Sequence, residues 1–256
     1  MTVASLVEPT TYREAAAHPD WQHAVSEEIA ALDRTGTWDL VPLLPHAAPV
    51  TFKWVYKIKT RSDGSLECYK ARLVARGFQQ EYGRDYDETF APVAHMTTVR
   101  TLLAVASVRQ WSISQLVVKN AFLNGELHEE VYMQPPLGYS VPTGMVCRLR
   151  RPLYGLKQAP RAWFEHFSSV ITEAGFKPSD HDPALFFHTS SRGRTLLLLY
   201  VDDMIITGDD PQFIDFVKMR LSDKFLMSDL GPLHYFLGLE VSSTPDGIYL
   251  SQEKYV

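Results

Sequence analysis

A chain of 256 residues that is 45% apolar and 12% aromatic can fold around one large core or two small ones, and its longest apolar run, residues 196–201, is far too short to cross a bilayer. Its two cysteines, Cys68 and Cys147, lie far apart, which excludes a CxxC zinc signature and a disulfide framework and fits a reducing compartment. The net charge of −5 argues against a uniformly basic nucleic-acid binder, and the N-terminus lacks the basic start and apolar stretch of a secretory signal.

Residues 1–20 read as a poorly ordered lead-in. "HPDWQHAVSEEIAALDRTGTW" then places Trp21, Val25, Ile29 and Leu32 at helical spacing, with Gly36 as the stop. "FKWVYKIKTRSDGSLECYKARLVARG" reads as a hairpin, with two alternating segments around the turn "SDGS" at 62–65. Lys57 and Lys59 share one face of its first strand, and Lys70, Arg72 and Arg76 line the second. "TTVRTLLAVASVRQW" is a second helix, with Val99, Leu102, Leu103 and Ala106 on one side. "SISQLVV" follows as a strand, and "NAFLNGELHEEV" leaves it through a turn and short helix.

"GMVCRLRRPLYGL" begins as a strand. Pro160 opens a helix that carries Trp163, Phe167, Val170 and Ile171 on one side and stops at Gly175. "ALFFHTSSRGRTLLLLYVDDMIITG" gives strands around "SSRGR" and then a hairpin turning at Asp202–Asp203. "DDPQFIDFVKMRLSDKFLMSD" is another helix, and "HYFLGLEV" and "GIYLSQ" form a final strand pair. There is no internal repeat. Helices mixed with mostly antiparallel strands predict an α+β fold.

Charge is segregated along the chain. Residues 51–80 hold seven cations, among them Lys59 and Arg72, against two acids, and residues 141–165 hold five, among them Lys157, against Glu165 alone. Two basic segments in an otherwise acidic chain suit a protein that holds a polyanion.

The pair Asp202–Asp203 poses the chemical question. Buried carboxylates are costly unless hydrogen-bonded, protonated or cation-bound, and aspartate is a poor strand residue. A second pair, Asp209–Asp210, has an ordinary explanation, because it precedes Pro211 and a helical pattern and so reads as a helix cap. Asp202 and Asp203 stand instead between "LLLLYV" and "MIIT". A plain two-residue turn is the structural alternative, and a metal ion is the functional one.

Tyr200-Val201-Asp202-Asp203 on a hairpin resembles the polymerase signature of reverse transcriptases. "YKARLVARGFQQEYGRDYDETFAPV", "VKNAFLNGELHEEVYMQPPLGY", "RLRRPLYGLKQAPRAWF", "YVDDMIITG", "DLGPLHYFLGLEV" and "GIYLSQEKYV" stand in the order found in copia-type retrotransposon polyproteins, from about Trp21 to the last residue. The resemblance implies a right-hand polymerase of fingers (roughly 40–95) and palm (roughly 96–256), with a mostly antiparallel palm sheet and packed helices. Its substrates would be an RNA or DNA template with primer and deoxynucleoside triphosphates. No membrane partner is expected. Association with other Pol polyprotein domains and a cytoplasmic particle are implied by the family. Thumb or connection and RNase H regions are absent from these residues, as expected of a truncated copy.

The resemblance also implies roles for single residues. Asp202 and Asp203 would be catalytic and would hold two Mg²⁺ (or Mn²⁺) ions. Lys59 and Arg72 would contact the triphosphate, where a guanidinium suits bidentate and an ammonium point-charge contact. Gly155 would permit close backbone approach, and Lys157 would contact phosphate. Phe122 would be the aromatic gate beneath the sugar, and Phe236, Leu237 and Gly238 would grip the primer end.

One position departs from the family pattern. Copia-type elements carry aspartate immediately before "VKNAFL", as the third ligand; this chain has Val117 there. Residues 89–125 contain no acid, and Glu126 lies nine residues beyond Val117. A residue shifted by one would face the other side of the strand. Folding should survive the valine and metal binding should suffer. The alternatives are therefore an impaired polymerase domain and a catalytically dead nucleic-acid-binding remnant or decayed retroelement product. An RNase H-like or integrase-like nuclease also clusters carboxylates, but the hairpin-borne pair and "YGLKQAP" disfavour it.

Overall fold

The structure is a computed structural model and describes residues 7–45, 47–61, 65–244 and 247–252. In chain order its elements are α1 (Tyr12–Ala15), α2 (Pro19–Arg34), β1 (Trp38–Pro42), β2 (Phe52–Thr60), β3 (Leu66–Ala75), α3 (Met96–Arg109), β4 (Ile113–Val118), β5 (Val131–Met133), β6 (Met145–Leu149), α4 (Ala159–Glu173), β7 (Lys177–Pro178), β8 (Leu185–Thr189), β9 (Arg194–Tyr200), β10 (Asp203–Gly208), α5 (Pro211–Lys224), β11 (Met227–Pro232), β12 (Tyr235–Phe236), β13 (Leu239–Thr244) and β14 (Gly247–Ser251). Every strand pair within the sheets is antiparallel, so the α+β class holds. Among the described residues no helix is long and apolar enough to cross a membrane.

The chain divides into two compact units, one of residues 1–89 and 125–163 and one of 90–124 and 164–256. This division interrupts the continuous 96–256 segment read from the sequence. Residues 125–163 join the N-terminal unit because β6 pairs with β1 and Met133 of β5 bridges to Val50.

In the first unit, β2 and β3 pair over Phe52↔Ala75 to Lys59↔Cys68. This register puts Trp54, Tyr56, Ala71 and Leu73 on one buried face, and Lys53, Lys57, Lys59, Lys70 and Arg72 on the other. Trp21 of α2 packs edge-on against Tyr56 and Tyr69 on the apolar side. The hairpin tip, 62–64, lies outside the described residues. The lead-in expectation needs correction for residues 12–20. They form α1 and the start of α2, Ala15 is fully buried, and upstream Glu8 accepts hydrogen bonds from Lys57 Nζ and Ile58 N.

In the second unit, a six-stranded sheet runs β11-β4-β10-β9-β8-β7. Val99, Leu102, Leu103 and Ala106 of α3 join Leu198, Ile205 and Phe236 in its core, the helical face that the sequence periodicity predicts. Asp210 caps α5 by accepting from Phe213 N, as its place before Pro211 suggests. Three details differ from the sequence reading. The Asp202–Asp203 hairpin turns at Val201–Asp202, and Asp203 already belongs to β10, paired with Tyr200. "HYFLGLEV" is not one strand but a hairpin of β12 and β13, because Leu237 and Gly238 both take positive φ (51° and 83°) and reverse the chain. The polar stretch 227–232 forms edge strand β11 on β4, with a bulge between Asp229 and Gly231.

The start of α3 lacks a cap from its own N-cap residue, His95. Asp182, 3% exposed, supplies one from a distant loop. Its carboxylate accepts from His95 N (3.0 Å), Thr98 Oγ1 (2.5 Å) and Ala184 N (3.1 Å). An acid at the positive helix end that also satisfies two backbone donors, that of Ala184 buried, is a strong restraint. Asp182→Ala should therefore cost about 2–3 kcal/mol of stability in equilibrium urea unfolding. A loss below about 0.5 kcal/mol, within the range of an ordinary surface change, would contradict this role.

Candidate active site

Strand β4 is flanked by β10 and β11, so residues 114–117 each have two cross-strand neighbours. Val117 stands opposite Asp203 on one side and Ser228 on the other. Directly opposed residues share a sheet face, so Val117, Asp203 and Ser228 line up on the same side. Gln115, two residues back on β4, shares that face and hydrogen-bonds the Asp203 carboxylate. Asp202 occupies the turn, and its carbonyl accepts from Val118 N at 2.9 Å. The turn is strained, since the β-branched Val201 sits at φ 56°.

Asp202 and Asp203 are both half-buried. Burial pushes the Asp203 carboxyl above the ordinary aspartate range, the neighbouring Asp202 charge raises it further, and the Gln115 amide partly offsets both. Among the described residues, no group of three or more histidines, cysteines or acids is placed to hold a metal ion. Two carboxylates beside a valine and a serine do not fit a site for two divalent ions, which draws on shared carboxylate oxygens.

The other predicted residues of this unit lie on or beside turns. Phe122 falls in the 3₁₀ turn Ala121–Asn124, entered through Asn120 at φ 52°, and is half-buried. Phe236 is buried at the β12–β13 turn, and Leu237 and Gly238 form that turn.

The first unit gathers Arg72, Gly155 and Lys157. Ala75 N donates to Tyr154 O (2.8 Å), which ties segment 153–157 to the end of β3. Gly155 has φ 91°, and a Cβ there would lie 2.1 Å from Ala75 O. The close backbone approach that Gly155 permits is thus to the protein's own strand. Lys157 Nζ donates to Gln80 O and Tyr86 Oη and sits 4.6 Å from the Tyr86 ring centroid. Buried Gln80 and Gln158, hydrogen-bonded to each other, complete this anchorage. Lys59 is exposed and is not brought against Arg72. It pairs with Cys68, four residues along the strand from the Val55↔Arg72 pair, a separation of about 13 Å.

Several neighbours were not singled out from the sequence. Gln115 was findable, because alternation puts it on the face of Val117. Ser228 was not, because "DDPQFIDFVKMRLSDKFLMSD" reads as one helix, whereas the structure ends the helix at Lys224 and begins β11 at Met227. Tyr154 and Gln80 act through contacts that carry no sequence pattern.

Comparison with known proteins fits this geometry. The family described as reverse transcriptase (RNA-dependent DNA polymerase) matches residues 35–256, and the chain belongs to it. Its relatives include the retrovirus-related Pol polyproteins from transposons RE1 and RE2 of Arabidopsis thaliana, 44% and 43% identical over 100% and 99% of this chain. A third, from transposon TNT 1-94 of Nicotiana tabacum, is 43% identical over 97%. The chain spans only 18%, 18% and 19% of the length of these polyproteins, so it corresponds to one region of them.

The raised Asp203 carboxyl has a measurable consequence. A group that binds its proton more readily when folded costs stability as pH rises through its folded value, and the cost vanishes below its unfolded value. In chelator, Asp203→Asn should therefore melt a few degrees above the natural chain at pH 7. The gap should close as the pH falls toward about 4. Equal melting at pH 7 would mean that Asp203 carries no desolvation penalty.

Proposed function

We propose that this chain is the fingers-and-palm region of a copia-type reverse transcriptase, and that its nucleotidyl transfer is impaired because Val117 stands where the first catalytic aspartate belongs. The β2–β3 hairpin corresponds to the fingers and the six-stranded sheet to the palm, with segment 125–163 grouped with the former. The observation that carries the impairment is the register Asp203↔Val117. An acid at 117 would face the Asp203 carboxylate, and a valine cannot coordinate an ion.

The reading assigns the site residues as follows. Asp202 and Asp203 are the remaining carboxylates of the site that in this family holds Mg²⁺ or Mn²⁺. Arg72, with Lys59 and Lys157 as further cations, contacts the triphosphate of the incoming deoxynucleotide. Phe122 excludes a ribose 2′-hydroxyl by bulk, and the Phe236–Gly238 turn contacts the primer end. Template and primer bind through their phosphates, so their affinity falls steeply with salt. The second reading, a nucleic-acid-binding remnant without catalysis, rests on the same valine.

Val117→Asp separates these readings. The natural chain should bind a primer–template duplex at low salt and extend it poorly. The variant should extend it faster by orders of magnitude in Mg²⁺, because the two-ion site regains its bridging carboxylate. It should be less stable than the natural chain in chelator and recover as Mg²⁺ is added. Primer extension and melting temperature with and without Mg²⁺ check both effects. Duplex binding without any gain in extension would favour the remnant. Comparable extension by both chains would refute the impairment.

A further inference from the structure

Arg72 lies on the basic face of the β2–β3 hairpin, where its surroundings do little to hold it. Its cross-strand partner is Val55, and its diagonal neighbours on β2 are Lys53 and Lys57. Glu28, which feels the Arg72 charge, spends its hydrogen bond on Leu73 N, and Glu8 binds Lys57. A long side chain among like charges samples many rotamers and is pushed away from its neighbours. Yet the Arg72 guanidinium carbon sits 4.1 Å from the centroid of the Tyr154 ring.

Tyr154 is a fixed platform. Its carbonyl accepts from Ala75 N, three residues beyond Arg72 on the same strand. The next residue, Gly155, approaches β3 so closely that a Cβ on it would lie 2.1 Å from Ala75 O. A ring face stacked on a guanidinium restrains the plane of the group without using any of its N–H donors. Those donors stay available for the paired oxygens of a phosphate.

We propose that Tyr154 is a positioning residue, whose ring holds the Arg72 guanidinium ready for the triphosphate of the incoming deoxynucleotide. The proposal rests on the nucleotide-binding reading of Arg72 given above.

The test measures binding of dATP and of inorganic tripolyphosphate in Mg²⁺, with duplex binding in parallel. The chains compared are the natural one, Arg72→Ala, Tyr154→Leu, Tyr154→Phe and the double variant Tyr154→Leu/Arg72→Ala. Arg72→Ala should weaken dATP and tripolyphosphate binding by about ten- to a hundredfold. Tyr154→Leu should weaken both by about three- to tenfold, and Tyr154→Phe, which keeps the ring, should bind like the natural chain. The double variant should be no weaker than Arg72→Ala, because the ring acts only through the guanidinium. Multiplying losses in the double variant, or natural affinity in Tyr154→Leu beside a weakened Arg72→Ala, would overturn the role of Tyr154 alone. A loss in Tyr154→Phe equal to that in Tyr154→Leu would assign the effect to the hydroxyl and overturn it too. Natural affinity in Arg72→Ala would overturn the nucleotide reading of Arg72, and this proposal with it.

Discussion

Side chains alternate with a period of two along a strand, so the pairing of β4 with β10 decides what stands beside Asp203. With Asp203 opposite Val117, the face that carries the half-buried carboxylate also carries a valine, a glutamine and, from β11, a serine. A slip of one residue would put Leu116 or Val118 there instead and turn the buried face of β4 to solvent. Both are fully buried, so the core fixes the register firmly. The chemistry at Asp203 is therefore set by whichever residue occupies position 117. Valine there costs the fold nothing, because it suits a central strand. It offers no oxygen donor beside the Asp203 carboxylate.

The basic face of the other unit depends on a comparable constraint at close range. Gly77 and Gly155 let two backbone segments approach to distances at which a Cβ on either would overlap a carbonyl oxygen. That contact holds Tyr154 beside Arg72 and brings Lys157 to Gln80 and Tyr86. The cations that the family resemblance assigns alike to phosphate contact are thus held to different degrees. Arg72 is stacked, Lys157 is hydrogen-bonded through its ammonium, and Lys59 stands exposed further along the hairpin.

Much of the fold was legible because burial leaves a period in the sequence. The α3 face of Val99, Leu102, Leu103 and Ala106 follows helical spacing, and the β2–β3 hairpin separates aromatic from cationic residues by alternation. Asp210 announces itself as a cap by preceding proline. What escaped has no such period. Strand β11 contains aspartate, glycine and proline, and it is a strand because the edge of β4 offers it a partner. "HYFLGLEV" alternates well enough to read as one strand, and only the positive φ of Leu237 and Gly238 breaks it. The grouping of 125–163 with the N-terminal unit depends on β1–β6 pairing across about a hundred residues, which local sequence does not encode. For the site, the carboxylate pair and the anomaly at Val117 were readable from residue order, and the contacts that hold Arg72 and Lys157 were not.

The central claim is that Asp202 and Asp203, with valine between Asp203 and Ser228, do not make a competent divalent-ion site. Titration of Mn²⁺ into the natural chain without nucleotide, followed by water-proton relaxation or calorimetry, tests it most directly. The account predicts no saturable site stronger than the millimolar range, and the same weak response when Asp203 is replaced by Asn. A saturable micromolar site that disappears in Asp203→Asn would contradict it, because the two carboxylates would then suffice without a third.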